Sequence, residues 1–151
     1  MSQHNVVILV GSSRKDSLNI RLAKAIEKVA PKTLHFTWVA MDNLPFYNGD
    51  LEENRPDSIK RFVTSVMSAD AVCIVTPEYN RSIPGVLKNA IDWASKPAES
   101  NVWKGKVVAI TGTSPGAIGT AIAQQHLRQI LSTLGSYVLP GEVYISFKSP
   151  D

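Results

Sequence analysis

Val6-Val7-Ile8-Leu9-Val10-Gly11-Ser12-Ser13-Arg14-Lys15-Asp16-Ser17-Leu18-Asn19 passes directly into Ile20-Arg21-Leu22-Ala23-Lys24-Ala25-Ile26. The opening apolar run, rich in β-branched residues, reads as a strand buried on both faces. The spacing that follows reads as an amphipathic helix, with Ser17 or Asp16 placed to cap its first turn. A buried strand that breaks at glycine and reopens as a helix gathers free N–H groups and the positive end of a helix dipole at one point, which suits a phosphate. Ser12, Ser13 and Ser17 add hydroxyl donors, Asn19 an amide and Arg14 a planar cation. With Gly11 as its one glycine, the loop fits neither the G-x-G-x-x-G dinucleotide fingerprint nor a Walker loop. Side chains must then do more of the holding, which favours a phosphate monoester over a diphosphate. Taken alone, the stretch also reads as an ordinary capped helix start.

Outward from this joint, the same alternation repeats. Strands are predicted at 6–10, 34–39, 71–76, 107–111 and 143–147, mostly apolar on both faces, and helices at 17–30, 56–68, 84–94 and 118–134. Ile59, Phe62, Val63 and Val66 form an i, i+3, i+4, i+7 stripe, Pro56 and Pro84 suit first helical turns, and Gly135 stops the last helix. A βαβαβαβαβ order means right-handed crossovers and a three-layer α/β sandwich in one domain, 1–151. The sequence stops at Pro150-Asp151 after the fifth strand, where such folds usually close with a helix, so a C-terminal helix is expected to be absent.

Composition narrows the function. Sixteen Lys and Arg against thirteen Asp and Glu give a formal charge of +3, and the basic residues are scattered without interleaved aromatics, so nucleic acid is not an expected partner. No run reaches the length of a membrane helix, and the N-terminus lacks a signal-peptide pattern. Cys73 is the only cysteine and lies inside an apolar run, which fits a buried core residue in a reducing cytoplasm.

In an open parallel sheet of order 2-1-3-4-5, ligands bind beyond the carboxyl ends of the strands, where the loops after strands 1, 3 and 4 converge. The second of these loops is Thr76-Pro77-Glu78-Tyr79-Asn80-Arg81-Ser82-Ile83-Pro84-Gly85, which can lay peptide N–H groups and Tyr79 along a flat ring. The third is Gly112-Thr113-Ser114-Pro115-Gly116-Ala117-Ile118-Gly119, whose glycines permit close approach to a ligand edge. Phosphate at one end and a flat polar ring at the other describes a mononucleotide. His4, His35 and His126 are all expected away from this edge, and no acid–base residue or metal cluster is expected.

Gly11-Ser12-x-Arg14-x-x-Ser17-x-Asn19, then Thr76-Pro77-Glu78-Tyr79-Asn80, then Pro84-Gly85-x-Leu87-Lys88-Asn89-Ala90-Ile91-Asp92-Trp93 resemble the NADPH-dependent FMN reductase family, which includes bacterial quinone and chromate reductases. The resemblance implies a flavodoxin-like fold with a five-stranded sheet and non-covalent FMN. It implies that Ser12, Arg14, Ser17, Leu18 and Asn19 hold the phosphate, that Pro77, Glu78, Tyr79 and Asn80 line the isoalloxazine and ribityl chain, and that Ser114 and Gly116 lie at the ring's other edge. It further implies ping-pong hydride transfer from NADPH to a small acceptor such as a quinone, flavin, azo compound or chromate. A homodimer or homotetramer follows from the same resemblance, with Leu44-Pro45-Phe46-Tyr47-Asn48 near a subunit contact and the apolar helix 84–94 serving both core and partner. Arg81 and Lys15 are the cations positioned to select NADPH.

The alternative is a flavodoxin, an electron carrier without its own NADPH oxidation; against it stand the missing Thr/Ser-Gly phosphate loop and the positive charge. A phospho-acceptor receiver domain fails because Gly11-Ser12 and Thr76-Pro77-Glu78 occupy the positions of its acidic residues. A Rossmann dehydrogenase matches in Asp42, which follows strand 2 where a ribose-binding acid sits, but not in the glycine pattern.

Overall fold

The computed structural model describes residues 2–147. The chain runs β1 (His4–Val10), α1 (Leu18–Val29), β2 (Leu34–Trp38), α2 (Asp57–Ser68), β3 (Ala71–Val75), α3 (Gly85–Ala94), β4 (Val107–Ser114), α4 (Ala121–Thr133), β5 (Tyr137–Val138) and β6 (Tyr144–Ser146). All strand pairs are parallel, in the order β2-β1-β3-β4-β5, with β6 also on β4. The expected order therefore holds. The predicted strand 143–147 appears as β6, but the fifth position is shared: β5 pairs with Val107 and Val108, whereas β6 pairs with Gly112–Ser114. β4 is longer than its apolar run suggests, because β6 gives its polar end a partner. The final Pro150-Asp151 lies outside the described residues.

β1 and β3 are buried on both faces, as their unbroken Val/Ile runs require, whereas β4 buries Val108 and Ile110 on one face and leaves Val107 exposed and Ala109 and Thr111 only half-buried on the other. On one face α1 packs over Val6, Ile8, Cys73 and Val75 through Ala23 and Leu22. On the other, Leu9, Val72, Ile74, Val108 and Ile110 meet Phe62 and Val66 of α2, Leu87 and Ile91 of α3, and Leu127 and Leu131 of α4. β2 departs from the expectation: as an edge strand it leaves His35, Thr37 and Trp38 exposed. Burial raises the Cys73 thiol to about 11, so it stays protonated and inert.

The apolar side of α3 goes into this core. Leu87, Ala90, Ile91, Trp93 and Ala94 are buried within the chain. Trp93 donates to the Pro45 carbonyl at 2.8 Å and Trp103 to the Ile91 carbonyl at 3.0 Å. The apolar composition of α3 is thus accounted for by packing within the chain.

Candidate functional site

The loops after β1, β3 and β4 lie together at the carboxyl edge of the sheet. Gly11 N–H donates to the Val75 carbonyl at 2.9 Å, joining the first loop to β3. Ser17 caps α1, its Oγ accepting from Asn19 N–H at 3.2 Å and Ile20 N–H at 3.4 Å. The backbone N–H groups of Ser12, Ser13, Lys15 and Leu18 have no protein partner among the described residues. Arg14 is exposed and in no ion pair among them. Unpaired N–H groups at a helix start beside an unpaired guanidinium fit a phosphate dianion.

Asn19 does something other than expected. It is 3% exposed, and its carboxamide is held at both ends by Thr113: Nδ2 donates to the carbonyl at 3.0 Å, and Oδ1 accepts from the N–H at 2.9 Å. β3 ends at Val75, so the Thr113 peptide has lost its strand neighbour on that side, and the Asn19 amide takes that place. The side chain therefore fastens the first loop to the third rather than facing outward. Thr113 Oγ1 is buried without a partner among the described residues.

The second loop closes as a tight turn. Tyr79 and Ser82 exchange backbone hydrogen bonds of 2.9 and 3.0 Å, with Asn80 at φ 50° and Arg81 at φ 62° between them. This is the type I′ pattern, which favours Asn and Gly and costs a bulky residue such as Arg about 1–2 kcal/mol. Tyr79 is left 47% exposed at its edge. Pro77 is half-buried behind Gly11, within 3.3 Å of where a Cβ on that glycine would stand.

Glu78 turns inward. Its Oε2 accepts from Ile122 N–H at 2.9 Å and Ala123 N–H at 3.1 Å, capping α4, and Oε1 lies 3.7 Å from the Arg81 guanidinium. Thr120, the N-cap residue of α4, makes no side-chain cap of its own, so Glu78 does this from forty-odd residues upstream. Ser82 Oγ is 2.9 Å from His126 Nδ1, a second tie from this loop to α4. His126, inside α4, thus has a structural role, tying this loop to the helix. We expect Glu78→Ala to lower the unfolding free energy by about 1–2 kcal/mol, the worth of a helix cap. Urea unfolding followed by tryptophan fluorescence measures this, and Glu78→Gln, which keeps an acceptor, should recover about half.

In the third loop Ser114 Oγ donates to the Gly119 carbonyl at 2.7 Å and accepts from Gly116 N–H at 3.2 Å, bracing the turn. Gly116 is exposed, with room for a ligand edge. Gly112 and Gly119 answer to protein neighbours instead. A Cβ at Gly112 would lie 2.0 Å from the Thr76 carbonyl oxygen, and one at Gly119, which has φ +60°, would lie 2.9 Å from the Ile145 carbonyl oxygen.

The segment 44–48 is bolted to α3. Asn89 donates to the Pro45 carbonyl at 3.0 Å and accepts from Tyr47 N–H at 2.8 Å, and the Tyr47 ring meets Trp93 edge-on at 5.1 Å. Phe46, between these anchors, is 86% exposed. A cleft of about 380 Å³ opens beside the first loop, lined by Ser12, Ser13, Lys24, Trp38, Asp42 and Val86 among others. Trp38 and Lys24 carry no motif, so sequence reading passes over them.

A profile of the NADPH-dependent FMN reductase family matches residues 4–149. The chain is 48% identical to a 2-hydroxy-1,4-benzoquinone reductase from Burkholderia sp. over 141 residues, covering 93% of this chain and 77% of that protein. It is 42% identical to a quinone reductase from Escherichia coli (strain K12) over 137 residues, covering 89% and 72% respectively. The structure superposes on the flavoenzyme NAD(P)H:(acceptor) oxidoreductase FerB from Paracoccus denitrificans with a TM-score of 0.93 and 46% identity, covering 97% of this chain and 81% of that one.

Proposed function

The chain belongs to the NADPH-dependent FMN reductase family, and we propose that it is an FMN-dependent NAD(P)H oxidoreductase whose preferred acceptor is a quinone. The relatives named for quinone reduction, at 42% and 48% identity, support that acceptor class. The observation that carries the binding site is the first loop, where N–H groups at the start of α1 without a partner among the described residues lie in the same loop as exposed Arg14, which is in no ion pair among them.

FMN, when bound, supplies the centre that accepts hydride from NAD(P)H and returns electrons to the second substrate. The chain's part is to bind and orient. Ser12, Arg14, the Ser17 hydroxyl proton and the N–H groups near Leu18 hold the phosphate, while Asn19 acts through Thr113 by fixing the loop. Pro77, Tyr79 and Asn80, with the backbone at Glu78, line the ring and ribityl chain, and Glu78 itself acts through α4. Ser114 and Gly116 shape the far edge, where backbone N–H groups favour negative charge on a reduced ring. No side chain is assigned proton transfer. Among the described residues no group of His, Cys, Asp and Glu is placed to hold a metal, and no helix is long and apolar enough to cross a membrane.

Residues 1–151 work, in this reading, as one FMN-binding domain. A homodimer or homotetramer in the cytoplasm completes it, supported by exposed Phe46 on its rigid mount and by the single, buried cysteine. Equilibrium sedimentation at micromolar concentration tests the assembly.

The direct test of function is FMN titration followed by steady-state NADPH oxidation with quinone, free flavin, azo dye and chromate. Arg14→Ala should weaken FMN binding by about 1.5–3 kcal/mol, roughly 10- to 150-fold in Kd, with thermal stability unchanged because the side chain is exposed. Absence of any flavin response in the parent protein would end the reading.

A further inference from the structure

The cleft borders the first loop at Ser12 and Ser13 and touches Val86 in the first turn of α3, and from there it extends away from the second and third loops over β1, α1 and the segment after β2. The Asn19–Thr113 bonds draw the start of α1 toward β4, and the helix packs on β1, β3 and β4. The upper ends of β1 and β2 are left uncovered, and a space of about 380 Å³ opens over Val10 and Ile20. That is within the size range of small-ligand sites.

Its chemistry is uneven in a useful way. Trp38 forms one wall and is 39% exposed, whereas Trp93 and Trp103 are fully buried. Trp38 Nε1 donates to Glu27 at 3.0 Å, so the indole plane is held independently of any ligand. Asp42 stands just beyond the carboxyl end of β2, the position from which a carboxylate takes ribose hydroxyls in doubly wound nucleotide-binding folds. Lys24 lies on the α1 side. Neither charge is in an ion pair among the described residues. Ser12 and Ser13 border both this cleft and the phosphate loop, and exposed Lys15 stands beside Arg14 as a second cation for a second anionic group.

We propose that this cleft receives the adenosine end of the nucleotide reductant, with Trp38 as the plate for the base and Asp42 as acceptor for the ribose hydroxyls. The inference rests on the reading of the protein as an FMN-dependent NAD(P)H oxidoreductase. A dinucleotide so placed lies across the outer side of the first loop, its diphosphate near Lys15 and its nicotinamide toward the second and third loops. Asp42 then sets the cofactor preference. Its carboxylate accepts from a free 2′-hydroxyl and repels a 2′-phosphate, so NADH is accepted readily and Lys24 only partly offsets the cost of NADPH.

The test uses the FMN-loaded protein and ADP-ribose, which carries the adenosine and diphosphate without nicotinamide. ADP-ribose should quench the emission of Trp38, the one exposed indole, and inhibit competitively against NADH. Asp42→Ala, an exposed substitution, should raise the KM for NADH about tenfold, far more than it changes kcat, and shift the NADPH:NADH ratio of kcat/KM toward NADPH. Trp38→Phe should remove the quench and raise both KM values. A flat ADP-ribose titration, or an unchanged KM for NADH in Asp42→Ala, overturns the proposal. If the parent protein oxidises neither NADH nor NADPH, the functional reading falls instead, and the ADP-ribose titration still decides the cleft.

Discussion

Gly112→Ala should lower the unfolding free energy by about 3 kcal/mol or more, at the upper end of overpacking effects. The added Cβ would sit 2.0 Å from the Thr76 carbonyl oxygen and 2.4 Å from Thr120 Oγ1. Neither neighbour can give way cheaply. Thr76 is fully buried, and its N–H bonds the Thr111 carbonyl at 3.0 Å, so moving its carbonyl means moving the β3–β4 register. Thr120 is also buried, and its Oγ1 accepts from Gln124 at 3.1 Å. Gly85→Ala is the matched control, because a Cβ there meets nothing within 4 Å at the first position of α3. Urea midpoints read by tryptophan fluorescence should fall sharply for the first and stay near the parent value for the second. Equal midpoints would mean that the approach of β4 to Thr76 is looser than described.

Asn19→Ala should cost about 2–4 kcal/mol and weaken FMN binding as well. The substitution leaves the Thr113 N–H and carbonyl buried without partners, and each orphaned group carries about 1–3 kcal/mol of desolvation. Asn19→Asp should do little better than alanine, since a carboxylate can accept from the Thr113 N–H but faces its carbonyl with a second acceptor. This pair separates the roles within the first loop. Arg14→Ala should lose FMN affinity while the urea midpoint stays in place, whereas Asn19→Ala should lose both. An Asn19→Ala protein of parental stability would remove the residue from its fastening role.

The relation between local pattern and partner explains which features could be read early. The first loop was legible because strand, glycine, cap and helix are consecutive, so the free N–H groups and the dipole follow from neighbours alone. The same grounds leave Ser17 or Asp16 as the cap, and the folded chain uses Ser17. Asn19 and Glu78 look alike in sequence, as polar residues in site loops, yet both point into the protein. Asn19 meets a peptide 94 residues away, and Glu78 caps a helix 44 residues on. No periodicity carries that information. The glycines of the third loop were likewise legible as places of close approach, but not whether a ligand or a neighbouring carbonyl makes it.

By itself the sequence pattern determined the layered parallel fold, and the strand order and the edge on which the loops gather followed once that fold was matched to the flavodoxin-like type. Runs of Val and Ile between amphipathic helices leave few ways to bury apolar surface, and right-handed crossovers do the rest. Tertiary structure decided what the loop side chains do once there. It also divided the fifth strand position between two short segments, because β4 offers two separate stretches of unpaired backbone. The cleft beside Asp42 belongs to the same category: its walls come from β1, α1, the segment after β2 and the start of α3, which only the folded chain brings together.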